Sequence, residues 1–217
     1  METVSEPDMR SAEEARAYLV MLRSILRYAG VSTANMEEGS FRCDANISIR
    51  TSGTAELGTK VEVKNMNSFR SVYRALEYEI ERQRTLLCAG ERIIQETRGW
   101  EEEQGITVSQ RSKEQAHDYR YFPDPDLTPL TISEKWVERA RSYLPELPEP
   151  RQMRLKEEYG LSEYDASLLT ASRATADYFE NAVNLLEVSG QTLHQRAKML
   201  SNSIVARLIY TTDADDE

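Results

Sequence analysis

Residues 40–50, SFRCDANISIR, change polarity at every step: Phe41, Cys43, Ala45, Ile47 and Ile49 are apolar or small, while Arg42, Asp44, Asn46, Ser48 and Arg50 are polar. Successive side chains of a β-strand point to opposite faces, so the stretch predicts one strand over 40–50 with a buried face and a polar face. TKVEVKN (59–65) repeats the alternation, with Val61 and Val63 on one face and Lys60, Glu62 and Lys64 on the other. A polar loop containing Gly53 and Gly58 joins the two runs, which are expected to pair as an antiparallel hairpin.

Helices flank the hairpin. Ser11 and Glu14 form a capping box for a helix over 11–29, in which Ala15, Leu19, Leu22, Ile25, Leu26 and Ala29 recur at helical spacing before Gly30. Asn67 or Ser68 caps a second helix over 68–87, with Val72, Leu76 and Ile80 in register. RIIQETRGW (92–100) and GITVSQRS (105–112) read as strands joined by the acidic turn EEEQ. HDYRYFPDPDLTPL (117–130) is rich in proline and aromatics and reads as extended and irregular, followed by a short helix over 133–143. From LPELPEP (144–150) onward every segment reads as helix, with Pro150 at a first helical position, Gly160 as a stop and Ser162 as a cap. The expected fold class is α+β: an antiparallel sheet with flanking helices over 1–147, then an all-α helical domain over 148–217.

Composition narrows the function classes. Hydrophobic content of 40% and charged content of 29% are those of an ordinary globular chain. No apolar run approaches the roughly 18 residues of a membrane span, and METVSEPDMRS has no signal-peptide pattern. Cys43 and Cys88 make neither a metal motif nor a disulfide framework, which fits a cytoplasmic setting. The net charge of −10 offers no broad attraction to nucleic acid, so any RNA contact is local or partner-assisted. The two histidines, His117 and His194, leave a catalytic triad or a zinc site without raw material. No phosphate-binding glycine loop and no G-x-S-x-G motif occurs.

The combined polar faces of the hairpin carry two carboxylates, Asp44 and Glu62, among four cations, Arg42, Arg50, Lys60 and Lys64, and two neutral hydrogen-bonding groups, Asn46 and Ser48. One reading is a solvated face with cross-strand ion pairs. The other is a phosphate and metal platform: Mg²⁺ takes one or two carboxylates and shares itself with phosphates, and phosphoryl transfer needs cations for the charge spreading over phosphate oxygens. Residue chemistry alone leaves both open. Tyr119, Arg120, Tyr121 and Phe122 can likewise stack on a base or pack in a core.

Longer strings carry a resemblance. MEEGSFRCDANISIR, GTKVEVKNMNSF, QETRGW and DYRYFPDPDL occur in the order found in the B subunits of aspartyl/glutamyl-tRNA amidotransferases, the GatB family, and the chain resembles that family over about residues 3–209. The resemblance implies a cradle related to glutamine synthetase, followed by a helical domain. It implies a carbon–nitrogen ligase that uses ATP and Mg²⁺ to phosphorylate the side-chain carboxylate of Glu-tRNA(Gln) or Asp-tRNA(Asn). Ammonia from glutamine then completes the amide, with GatA and GatC as partner proteins. Carried onto this chain, Asp44 and Glu62 resemble metal ligands, and Glu38, Arg42, Lys60 and Lys64 resemble catalytic positions near phosphate or the ammonia path. Asn46, Ser48, Asn65, Asn67, Ser68, Arg98 and Arg120 are the cofactor-binding candidates.

Departures from the family accompany it. Members begin earlier, with cradle strands that supply a histidine and glutamates, and end in a tail domain, and neither is expected in this chain. KMLSNSIVARLIY has Ser203 where a tryptophan is usual. The alternative to a working enzyme component is therefore a non-catalytic fragment that binds GatA, GatC or tRNA.

Overall fold

The computed structural model describes residues 2–112, 125–186 and 190–212. His117, Tyr119, Arg120, Tyr121 and Phe122 lie outside the described residues. Contacts divide the chain into two compact units, Met1–Leu22 with Ala34–Thr131, and Arg23–Thr33 with Ile132–Glu217.

Helix α1 (Ala12–Tyr28) begins where its cap predicts. The Ser11 hydroxyl accepts the Glu14 N–H at 3.1 Å, while the Glu14 carboxylate reaches one residue past the usual box to accept the Arg10 N–H. Strands β1 (Ala45–Ile47) and β2 (Val61–Lys64) form the expected antiparallel hairpin, with Ala45 opposite Val63, Asn46 opposite Glu62 and Ile47 opposite Val61. β1 is far shorter than the strand predicted over 40–50, for reasons at both ends. Beyond Lys64, Asn65 turns into the left-handed region at φ 66°, which removes the extended partner that residues before Asp44 would need. At the other end, Ile49 gives its N–H to the Gln83 side chain, not to a neighbouring strand.

Helix α2 (Phe69–Cys88) then crosses to β3 (Glu96–Glu101), which is followed by β4 (Ile106–Ser112). The sheet order is β1-β2-β3-β4. β3 and β4 are antiparallel, but β2 and β3 are parallel, pairing Glu62 with Thr97, Val63 with Arg98 and Lys64 with Gly99. The sheet is therefore mixed, which corrects the antiparallel expectation. A helical crossover such as α2 returns the chain to the end from which it left, so the strands it joins run the same way.

α2 covers one face of this sheet. Val61, Val63, Val72, Ala75, Leu76 and Trp100 are all buried there, and each large apolar side chain contributes about 1.5–3 kcal/mol. A polar network lies on the same face. The fully buried Glu79 accepts from Arg82, Gln83 and Thr107 at 2.6–3.0 Å.

From Glu134 to Thr212 the described elements are helices: α3 (Glu134–Ser142), α4 (Pro148–Tyr159), α5 (Glu163–Leu169), α6 (Arg173–Leu185) and α7 (Leu193–Thr212). α4 starts two residues before the predicted Pro150, because Pro148 takes the first-turn position where a missing N–H costs nothing. Leu155, Tyr159, Leu169, Phe179, Val183 and Ala197 form the core of this unit, with Tyr159 edge-on to Phe179 at 5.6 Å between ring centroids. Gly160 ends α4 at φ 66°, as predicted, and a side chain there would also strike the His194 ring. Gly160→Ala is expected to cost at least about 1–2 kcal/mol in chemical denaturation, and adding His194→Ala should recover the part owed to the collision.

Arg151 pairs with Asp177 at 2.7 Å and with Glu180, and Arg154 reaches Glu180 and Glu146 at 2.6 Å each. Burial works against the charge on Glu180, but its bonds to Arg154 and Arg151 outweigh it and hold the carboxyl below its ordinary value of 4.5. A carboxyl depressed in the folded state contributes stability that is present above its unfolded pKa and lost as pH falls through the folded one. Stability is thus expected to fall on acidification below about pH 4.5, and Glu180→Gln to flatten that fall in denaturant melts.

Candidate active site

Glu62 and Lys64 alternate with buried Val61 and Val63, so they project from the face that α2 leaves uncovered. The hairpin register sets Asn46 opposite Glu62, and the parallel register sets Thr97 beside it. Lys64 Nζ donates to Asp44 Oδ2 at 2.7 Å and stands 3.6 Å from Glu62 Oε1. The Thr97 hydroxyl donates to Glu62 Oε2 at 2.8 Å. The hydrogen bond to Asp44 raises the Lys64 pKa above its ordinary value. Side-chain exposure falls from 51% at Asp44 to 32% at Lys64 and 16% at Glu62, so the site is rooted at Glu62 and opens at Asp44. Ion pairs this accessible contribute at most about 1 kcal/mol, so this group is not what holds the sheet together.

Both carboxylates converge on one cation, the Lys64 ammonium, so their oxygens face a common point. Among the described residues no three His, Cys, Asp or Glu side chains come together as a metal cage. Two convergent carboxylates fit the way Mg²⁺ is held when it keeps waters and shares itself with phosphates. Asp44 and Glu62 are the residues that would hold it.

The other candidates are placed less closely. Glu38 is exposed in the Met36–Gly39 turn, where the Gly39 N–H donates to the Met36 carbonyl at 3.1 Å and Asn35 and Ser40 bond across the base. The Arg42 guanidinium passes over Gly39, and Arg42 and Lys60 are exposed without an ion pair among the described residues. Asn46 is exposed on the same face as Glu62, and Ser48 is half-buried beyond the end of β1. Asn65, strained at φ 66°, lays its carboxamide against Gly99, the residue paired with Lys64. Asn67 is exposed, and Ser68 caps α2, its hydroxyl accepting the Ser71 N–H at 3.0 Å.

Arg98 is not brought to this group. It pairs with Val63 and so lies on the α2 side, where it donates to Glu96 at 2.6 Å and to the Thr107 hydroxyl and carbonyl at 2.8 and 2.7 Å. Burial opposes the charge of Glu96, but the Ser109 hydroxyl and Arg98 outweigh it and lower its pKa. His194 packs on Gly160 in the second unit. Cys43 is half-buried, and burial, aided by Asp44, pushes its thiol up to about 11, which keeps it from acting as a nucleophile. Thr97 went unnoticed in the sequence. The alternation in QETRGW puts it opposite in parity to Arg98, but its place beside Glu62 depends on the parallel register.

Residues 1–138 match a family model described as the GatB/GatE catalytic domain. A protein from Dehalococcoides mccartyi (strain CBDB1), named as the B subunit of an aspartyl/glutamyl-tRNA(Asn/Gln) amidotransferase, is 63% identical over 205 residues, covering 94% of this chain and 42% of that protein. Proteins of the same name from Moorella thermoacetica and Herpetosiphon aurantiacus are 53% identical over 214 residues and 60% identical over 183. They are covered to 43% and 38% of their length by 99% and 84% of this chain, so the chain spans less than half of these relatives. With the family model matched over residues 1–138 and identity above half along nearly all of its length, the chain belongs to the GatB/GatE family.

Proposed function

We propose that the chain supplies part of the carboxylate-activating site of an aspartyl/glutamyl-tRNA amidotransferase, working with GatA and GatC in the cytoplasm on Glu-tRNA(Gln) or Asp-tRNA(Asn). The observation that carries this reading is the convergence of Asp44 and Glu62 on Lys64, beside Thr97, on the face of the sheet opposite α2. In the proposed reaction an oxygen of the substrate carboxylate attacks the γ-phosphorus of ATP and ADP leaves. Ammonia then attacks the acyl carbon, phosphate departs with that oxygen, and a proton is lost to give the amide. Mg²⁺, held by Asp44 and Glu62, would neutralise charge on the phosphate oxygens.

This chain's own residues set the stage. Thr97 commits Glu62 Oε2 to one orientation and leaves Oε1 toward Lys64. Lys64, charged at neutral pH, stands between the two carboxylates and would be the cation nearest to phosphate oxygens brought to them. Arg42 and Lys60 are further cations on the same hairpin. Lys64→Met, which keeps the length without the charge, is expected to lower the rate of ATP-dependent amidation by about 10²-fold in the assembled enzyme, with glutamine hydrolysis intact. A variant that amidates at the normal rate contradicts the reading and favours a chain that only binds its partners.

A further inference from the structure

Glu79 and Gln83 stand one turn apart on α2, both fully buried, and neither touches the open face. The Gln83 carboxamide reaches the end of β1, where its Oε1 accepts the Ile49 N–H at 3.2 Å and its Nε2 lies 3.5 Å from the Ile47 carbonyl. The same Nε2 donates to Glu79 Oε1 at 3.0 Å. Glu79 Oε1 also accepts from Arg82 and so presents an acceptor to the carboxamide, which sets its nitrogen toward Glu79 and its oxygen toward Ile49. Glu79 is itself immobilised by Arg82, at 2.6 and 2.9 Å, and by the Thr107 hydroxyl of β4 at 2.9 Å.

β1 needs this support. It is three residues long and pairs only with β2 among the described residues, and without Gln83 the Ile49 N–H loses its partner. Asn46 lies on β1 and Asp44 directly before it, so the approach of Asp44 to Glu62 depends on where β1 lies against β2. We infer that Gln83, oriented by Glu79, is a positioning residue that splints β1 from the covered face so that Asp44 meets Glu62 on the open one. The inference rests on the proposed reading of Asp44 and Glu62 as the Mg²⁺-holding pair.

Gln83→Met keeps the length and apolar bulk of the side chain and removes both hydrogen-bonding atoms. In this chain, without metal, it is expected to speed amide hydrogen exchange at Ile49 by about tenfold or more, while the amides of α5 exchange as before. In the assembled amidotransferase it should raise the Mg²⁺ concentration for half-maximal amidation by about tenfold, with the rate at saturating Mg²⁺ changed by less than about threefold. A general loss of stability would lower the melting temperature without moving the Mg²⁺ midpoint. Should Gln83→Met not fold, Glu79→Gln, which loosens the same carboxamide, is expected to shift both quantities in the same direction. An unmoved Mg²⁺ midpoint with unchanged exchange at Ile49 overturns the inference. If Asp44→Ala leaves the Mg²⁺ midpoint unmoved, the failure lies with the Mg²⁺ reading itself, because that variant removes the ligand and leaves the splint in place.

Discussion

Asp44→Ala or Glu62→Ala in the assembled amidotransferase is expected to lower ATP-dependent amide formation by at least about 10²–10³-fold while glutamine hydrolysis continues. Each variant breaks the convergence on Lys64 in a different place: Asp44 is the exposed arm and Glu62 the shielded one, fixed by Thr97. Two carboxylates acting on one ion are not independent, so the double variant should be little worse than either single one. Asp44→Asn separates charge from shape. It retains an oxygen for Lys64 but not the negative charge, and is expected to fall near Asp44→Ala. Amidation and glutaminase rates measured on the same preparations check this, and near-normal amidation in both alanine variants would sink the metal-ligand assignment.

The largest expected effect on stability lies elsewhere. Phe179 is fully buried in the core of the helical unit, edge-on to Tyr159 and packed with Leu155, Leu169 and Val183. Phe179→Ala removes the ring and leaves a cavity that neighbouring helices fill only in part, at a cost of about 3–5 kcal/mol. In a unit of this size that corresponds to a drop of roughly 10–20 °C in its melting temperature. Calorimetry of the variant provides the check, and a loss below about 1 kcal/mol would mean that the helices repack freely.

Much of the local structure was legible in advance because it is written in short-range chemistry. The caps at Ser11, Ser68 and Ser162, the stop at Gly160 and the alternation of VEVK each act through neighbours a few residues away. That Asn46 and Glu62 share a face followed from the same alternation, whereas the register that sets them opposite each other is seen only in the fold. What escaped depends on distant partners. The parallel step from β2 to β3 follows from the path of α2, so Thr97 and Arg98 were assigned to faces only once that path was known. β1 stops early because Asn65 and Gln83 take over its ends, and neither is visible in the pattern of SFRCDANISIR. Arg98 was a cofactor-binding candidate only through the family resemblance, and its guanidinium is engaged with Glu96 and Thr107 on the α2 side of the sheet. Residue chemistry allowed the polar face of the hairpin to be solvated or functional, and the family strings favoured the second reading.

The most direct test of the central claim follows an oxygen atom. Glu-tRNA(Gln) labelled with oxygen-18 in its side-chain carboxylate is turned over once with ATP, Mg²⁺ and glutamine, by assembled enzyme carrying either wild-type Asp44 and Glu62 or Asp44→Ala. The expected result is inorganic phosphate bearing one labelled oxygen from the wild-type enzyme and little phosphate from the variant. Unlabelled phosphate from the wild-type enzyme, or labelled phosphate at an unchanged rate from Asp44→Ala, would contradict it.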